Sequence, residues 1–199
     1  MLPRMLTNLA QRKEGDMTRV PILTENDLPE NEKQFYTKIQ AKRDHVAPPF
    51  AALLNTPELA AQVAAIGEML RYVSPSISNT LREAVTLTIA KNLKCQYIWT
   101  HHVESALQAG LDDKTIAAIR DQATPNLLND EIQVFVEFTN QLLVHKLISQ
   151  ETFSEVETHL GKKGTVDLII MIGYYATLSY AINALEIELE EGIKPLLPE

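Results

Sequence analysis

From residue 26 onward, apolar side chains recur mostly every three or four residues, the spacing that places them on one face of a helix. Alternating apolar and polar runs of the kind that strands need are few, and the chain has only seven glycines. Capping residues, prolines and glycines divide the pattern into short segments. We therefore predict helices over residues 28–43, 57–72, 79–92, 95–109, 112–119, 130–145, 153–160 and 164–185.

The predicted helices are joined by short connections, and no linker separates one half of the chain from the other. This organisation favours one all-α domain, a single-domain helical bundle over residues 17–199. Residues 1–16 are mostly polar and show no clear period, so we interpret them as a disordered tail or as a start assigned too early.

The charge balance narrows the range of partners. The chain of 199 residues carries 18 Lys and Arg against 26 Asp and Glu, for a formal net charge of −8. An excess of negative charge disfavours nucleic acid and anionic membranes as partners and leaves a small molecule as the expected one. Uninterrupted apolar stretches, such as 168–172, are far shorter than the roughly 20 residues that cross a bilayer, so we predict no membrane span.

The cysteine content and the N-terminus predict a cytoplasmic protein. Cys95 is the only cysteine, so the chain cannot form an intramolecular disulfide. The first residues lack the apolar core and the small-residue cleavage site of a secretory signal.

Cys95 is the first candidate for chemistry. It lies at a predicted helix N-terminus beside Lys94, and both the exposed amides and the lysine charge favour a thiolate there. The alternative is a small buried apolar residue, which is what free cysteines most often are.

Two adjacent histidines follow on the same predicted helix. His102 is seven residues after Cys95 and shares its face, but a rise of about 1.5 Å per residue separates the two by roughly 10.5 Å, too far for a hydrogen bond. His101 points about 100° away from His102, so we expect it on the solvated surface rather than in the same pocket. None of the five histidines has another three or four residues away, which argues against a metal site.

Glu83 is the acidic candidate, on the helix that precedes the two histidines. If the break near residue 92 is tight, the two helices pack antiparallel and the Glu83 carboxylate can face His102. The alternative is a surface residue paired with Arg82 or Lys91. The nearby aromatic residues Tyr97, Trp99, Tyr174 and Tyr175 are more typical of a core or an interface. We nevertheless name Trp99, together with Arg82, as the candidates for substrate contact.

Residues 81–110, LREAVTLTIAKNLKCQYIWTHHVESALQAG, resemble the carboxymuconolactone decarboxylase family, which includes the alkylhydroperoxidase D-like proteins. The hydroperoxidase branch has a glutamate twelve residues before a Cys-x-x-Cys-x-x-x-His motif. The matching positions here are Glu83, Cys95, Ile98 and His102, so Ile98 replaces the second cysteine. The likeness extends more weakly over roughly residues 17–192. It implies an all-helical protomer that needs no cofactor and assembles into a homotrimer or homohexamer.

The resemblance also implies a chemistry. The decarboxylase branch does not depend on two thiols, and loss of a carboxyl group from a carboxylated lactone needs proton delivery to a carbanion-like carbon. A histidine, with an unperturbed pKa of about 6.5, can serve as that acid or base near neutrality. The resemblance therefore implies a lyase with His102 as general acid/base and Glu83 as its orienting partner. An anionic substrate would need cations, and the candidates near the motif are Arg71, Arg82, Lys91 and Lys94.

The sequence is also compatible with two other functions. One cysteine cannot close the disulfide cycle of the hydroperoxidases, but Cys95 could be oxidised to a sulfenic acid and reduced by an external thiol. That chemistry would make the protein a single-cysteine antioxidant with peroxiredoxin activity. The third function is an oligomeric binding protein without turnover.

Overall fold

The computed structural model describes residues 18–73, 76–121 and 129–198, and every regular element within these ranges is helical. The predicted all-α fold class is confirmed. The helices, numbered along the chain, are α1 Lys33–Gln40, α2 Pro48–Leu53, α3 Pro57–Glu68, α4 Asn79–Asn92, α5 Gln96–Gln108, α6 Asp113–Asp121, α7 Asp130–Asn140 and α8 Gln150–Leu185. The predictions for residues 1–16, for a helix end at 74–75 and for most of the loop after α6 concern residues outside the described ranges.

Helix α4 lies at the centre of the bundle. Every residue from 81 to 90 is buried, because α4 packs against α5, α6, α7 and α8. Its start is fixed by Ser78, whose side chain accepts a hydrogen bond from the Leu81 amide, as expected of a helix cap. Any polar side chain in this stretch must therefore find its partners inside the protein.

A tight reversal joins α4 to α5, as the sequence predicts. Lys94 adopts a left-handed conformation (φ 50°), and the Cys95 amide donates to the Ala90 carbonyl. The chain then runs back along α4, where the Thr80 hydroxyl donates to the Ala109 carbonyl at the far end of α5. Gly110 (φ 94°) ends α5 in the left-handed conformation expected of a terminating glycine.

Three helix boundaries and one helix cap near the N-terminus differ from those that the sequence indicates. The first helix spans only Lys33–Gln40 rather than 28–43, because the Pro29 carbonyl closes a separate turn with the Glu32 amide. Pro48 begins the short helix α2 instead of ending α1, since a proline fits the first turn of a helix. Thr56 precedes α3 but gives no side-chain cap, and its hydroxyl donates back to the Leu53 carbonyl.

The regular α-helical geometry of α3 and α7 ends earlier than predicted. Each helix passes into one wider π-helical turn, Met69–Val73 after α3 and Gln141–His145 after α7. The predicted stop at Gly161 is confirmed: its backbone (φ 64°, ψ 175°) interrupts α8.

Helix α8 bears on the prediction that the chain has no membrane span. It contains an 18-residue stretch with a mean hydropathy of 1.5, which is long and apolar enough, by length and composition alone, to cross a membrane. However, 44% of this stretch is buried in the fold, and a core helix meets the same criterion. This single helix is therefore weak evidence for a membrane span.

Candidate active site

The structure brings Glu83 and His102 together. Helices α4 and α5 place the His102 Nδ1 atom 2.6 Å from the Glu83 Oε2 atom. The other carboxylate oxygen, Oε1, accepts a hydrogen bond from Arg71 Nη2 at 2.8 Å. The Glu83 side chain is only 2% exposed, so the alternative of a surface residue is wrong.

Burial and neighbouring charges determine whether Glu83 and His102 are ionised in the free protein. Burial alone would raise the pKa of Glu83, but the hydrogen bond from His102 and the charges of His102, Arg71 and Arg82 bring the pKa below its usual value. Burial lowers the pKa of His102, and this effect exceeds the opposing influence of Glu83. Near neutral pH the pair is therefore an ionised Glu83 and a neutral His102. With Nδ1–H donating to Glu83, the His102 Nε2 atom carries the lone pair.

His102 lines a cavity of about 530 Å³, a size typical of sites for small molecules. The ring of Tyr175 stands edge-on to the imidazole, with the ring centres 5.4 Å apart. Two arginines, Arg43 and Arg71, also line this cavity. Arg43 donates to the backbone carbonyls of Ile39 and Ala64, which are uncharged groups. The cavity therefore combines an acid–base group with positive charge.

A second carboxylate–histidine contact lies in the wall of the same cavity. Glu190 accepts a hydrogen bond from the Tyr97 hydroxyl at 2.6 Å, and its other oxygen lies 2.8 Å from His101 Nε2. The prediction that His101 is a solvated surface residue outside the pocket is wrong. The cavity extends around α5, and the segment after α8 brings Glu190 against that helix, so adjacent histidines can line it from different sides. Tyr97, Tyr174 and Tyr175 line it as well rather than serving only as core.

Cys95 lies outside this cavity. It is the N-cap of α5, is fully buried and belongs to the hydrophobic core. Burial raises the pKa of the thiol, and the backbone amides of Ile98 and Tyr97 only partly oppose this. Of the two interpretations of Cys95 from the sequence, the favoured one, a small buried apolar residue, is observed, and the thiolate-favouring environment is not.

The two residues predicted to contact substrate lie in different places. Trp99 is 1% exposed, belongs to the core and lines neither described cavity. Arg82 lines a second cavity of about 360 Å³, which shares Arg71, Tyr72 and Ser105 with the first. Lys91 and Lys94, the other predicted cations, line neither.

Among the described residues, no group of three or more His, Cys, Asp or Glu side chains is arranged to hold a metal ion. Glu190 and Arg43 are site residues that the sequence reasoning missed. Glu190 follows the last helix without a motif, and Arg43 lies about 40 residues before Glu83, so neither spacing nor periodicity connects them to α5.

Comparison with known proteins supports the resemblance seen in the sequence. Residues 57–141 match the model of the carboxymuconolactone decarboxylase family, a range that begins with α3 and extends past the end of α7. Among curated proteins, no sequence matches the chain significantly.

Several solved structures share the fold. A peroxidase-related protein from Silicibacter sp. TM1040 aligns with a TM-score of 0.70 and 15% identity, over 93% of this chain and 97% of its own. The alkylhydroperoxidase AhpD core of a peroxidase-related protein from Ralstonia eutropha JMP134 gives 0.69 and 14%, over 90% and 98%. The debrominase Bmp8 gives 0.68 and 14%, over 89% and 93%. The match over residues 57–141 supports the resemblance to the carboxymuconolactone decarboxylase family, and the solved structures show that this chain has the fold of the alkylhydroperoxidase AhpD core.

Proposed function

We propose that the protein is a cofactor-independent decarboxylase that uses the His102–Glu83 pair to move a proton on a small carboxylated, lactone-type substrate. The observation that carries the proposal is the 2.6 Å contact between His102 Nδ1 and Glu83 Oε2 in the wall of a cavity with two arginines. Peroxidase-related proteins and a debrominase have the same fold, so the fold by itself supports more than one chemistry.

The proposed reaction balances with His102 as the proton donor. The bond between the substrate carbon and its carboxylate breaks, carbon dioxide leaves, and the electron pair stays on the carbon, delocalised towards the lactone carbonyl. Protonated His102 then transfers its Nε2 proton to that carbon and regains a proton from solvent. Glu83 holds Nδ1–H throughout, which orients the ring and stabilises the imidazolium.

Substrate binding favours protonation of His102 by solvent. In the free protein burial keeps the pKa of His102 below its usual value, so the imidazole is mostly neutral. A substrate carboxylate in the same cavity adds a negative charge nearby, which favours the imidazolium. Arg43 and Arg71 attract that carboxylate into the cavity.

The single-cysteine peroxidase is the weaker alternative. Its nucleophile, Cys95, is fully buried, has a raised pKa and does not line the cavity. Ile98, at the position of the second cysteine in the hydroperoxidases, does line the cavity but offers no thiol. The non-catalytic alternative would be favoured by cations that all point outward, and Arg71 lines the cavity instead.

We further propose that the protein assembles into a homotrimer or homohexamer and works in the cytoplasm. The feature that supports the assembly is an exposed apolar face on α8, formed by Val166, Ile169, Ile170 and Tyr180. Light scattering coupled to size-exclusion chromatography should give three or six times the 22.3 kDa chain mass. A monomer at micromolar concentration would contradict the proposed assembly.

The test of the function measures two activities side by side. Purified protein is incubated with a panel of carboxylated γ-lactones while carbon dioxide release is followed, and separately with cumene hydroperoxide and dithiothreitol while peroxide loss is followed. We expect carbon dioxide release from at least one lactone, with equal activity in Cys95→Ala. Peroxide loss that depends on Cys95, without carbon dioxide release, would favour the peroxidase. Neither activity would favour the binding protein.

A further inference from the structure

The second cavity, of about 360 Å³, contains an arginine whose hydrogen-bonding capacity is largely unused. Arg82 Nη2 donates to the Asn79 side chain at 2.7 Å. The Nε and Nη1 atoms of Arg82 are buried and have no hydrogen-bond partner among the described residues. The side chain is only 10% exposed, so bulk water does not readily replace the missing partners. Buried arginine donors without partners are unfavourable unless a ligand binds them.

The same cavity has an excess of positive charge. Arg71 and Arg82 bring two guanidinium groups, and Glu83 brings one carboxylate that already contacts Arg71 at 2.8 Å and Arg82 at 3.7 Å. Arg71 Nε is a further buried donor without a described partner. One positive charge thus remains without a counter-charge among the groups that line the cavity.

The position of Arg82 in the fold makes the cavity more favourable for a negatively charged group. Arg82 lies in the first turn and a half of α4, and the positive end of the helix dipole favours negative charge there. Arg71, Tyr72 and Ser105 border both cavities, so a ligand bound beside Arg82 lies next to the His102 cavity.

We propose that the second cavity is a carboxylate-binding subsite, in which Arg82, assisted by Arg71, holds an acid group of a small organic ligand. A planar carboxylate fits because its two oxygens accept several N–H donors at once. The existence of the subsite does not depend on the proposed function. The further step, that the bound acid group is part of the substrate of His102, rests on the proposed function.

The subsite is tested by calorimetric titration with succinate at low ionic strength, with succinamide as the uncharged control. The variants are Arg82→Met and, as a matched control, Arg120→Met, which removes the same charge from an arginine paired with Asp121 on the surface of α6. We expect one succinate per chain, no binding of succinamide, at least a roughly tenfold loss of affinity in Arg82→Met and no change in Arg120→Met.

Thermal unfolding without succinate separates a ligand site from a structural role. If Arg82 carries an uncompensated buried charge, Arg82→Met should unfold at or above the wild-type temperature. Failure of that variant to fold, a marked fall in its unfolding temperature, absence of succinate binding, or equal affinity in Arg82→Met would each overturn the proposal. Binding is measured without turnover, so a protein that binds succinate through Arg82 but releases no carbon dioxide would retain the subsite and lose only the proposed function.

Discussion

Cys95, at the N-terminal end of α5, and His102, two turns further along the helix, are the two candidates for catalysis that the motif provides. They differ in their burial and in their access to a small molecule. Cys95 is fully buried among apolar residues, and burial raises the pKa of its thiol. His102 lines a cavity, contacts a carboxylate at 2.6 Å and stays within reach of a small molecule. The comparison teaches that a place at a helix N-terminus does not activate a buried cysteine when desolvation outweighs the effect of the helix amides.

The largest expected effect separates these two residues. Replacing His102 by glutamine keeps a side chain that can contact Glu83 but removes the acid–base group, so carbon dioxide release should fall by roughly 10² to 10⁴-fold. His159→Gln, on the exposed side of α8, is the matched control and should retain full activity. A folded His102→Gln variant with more than a tenth of wild-type activity would remove His102 from the reaction.

A smaller loss is expected at Glu83, which acts through His102. Glu83→Gln removes the charge that orients and stabilises the imidazolium, so turnover should fall about 10- to 100-fold. Because Glu83 raises the pKa of His102 against the effect of burial, the substitution should lower that pKa further. Nitrogen NMR of the His102 ring measures this directly.

Glu104→Gln, an exposed change on α5, is the control for Glu83. Unchanged titration of His102 in Glu83→Gln would contradict the positioning role, whatever happens to activity.

The pH dependence of kcat/KM and kcat tests the role of His102 in the unmodified protein. Burial holds the pKa of free His102 below 6.5, and the reaction needs the protonated form, so kcat/KM should fall about tenfold per unit as pH rises above that pKa. Bound substrate carboxylate raises the pKa of His102, so the fall in kcat should come at higher pH than the fall in kcat/KM. A kcat/KM that rises with pH across this range would show that neutral His102 acts as a base instead.

The smallest effect is expected at Cys95. Cys95→Ala removes a buried sulfur and should cost about 1 kcal/mol of unfolding free energy while changing activity less than about threefold. Chemical denaturation and the carbon dioxide assay measure the two quantities. A more than tenfold loss of activity in the folded variant would mean that the buried thiol takes part in the reaction.

The part of the site that the sequence predicted is the part held by regular structure. A tight break near residue 92 is the condition for α4 and α5 to pack antiparallel, and the structure has that tight reversal, which places Glu83 opposite His102. Gly110 and Gly161 end their helical segments as predicted because a positive φ suits glycine.

The rest of the site lies on segments without a repeating hydrophobic pattern, so the sequence did not predict it. Glu190 reaches His101 from the irregular chain after α8, and Arg43 reaches the cavity from the end of α1. Adjacent side chains on a helix point about 100° apart, so His101 and His102 do face different directions. The cavity nevertheless contacts both residues, and its extent cannot be derived from helix geometry. Burial of Cys95 likewise arises from tertiary packing and not from its position at a helix start.

The most direct test of proton transfer by His102 is decarboxylation in deuterium oxide, followed by NMR of the product. Delivery from one fixed imidazole predicts a single deuterium, on one face only, at the carbon that lost carbon dioxide, in the wild type and in Cys95→Ala alike. Deuterium distributed equally over both faces, or turnover that disappears in Cys95→Ala and persists in His102→Gln, would contradict acid–base chemistry at His102.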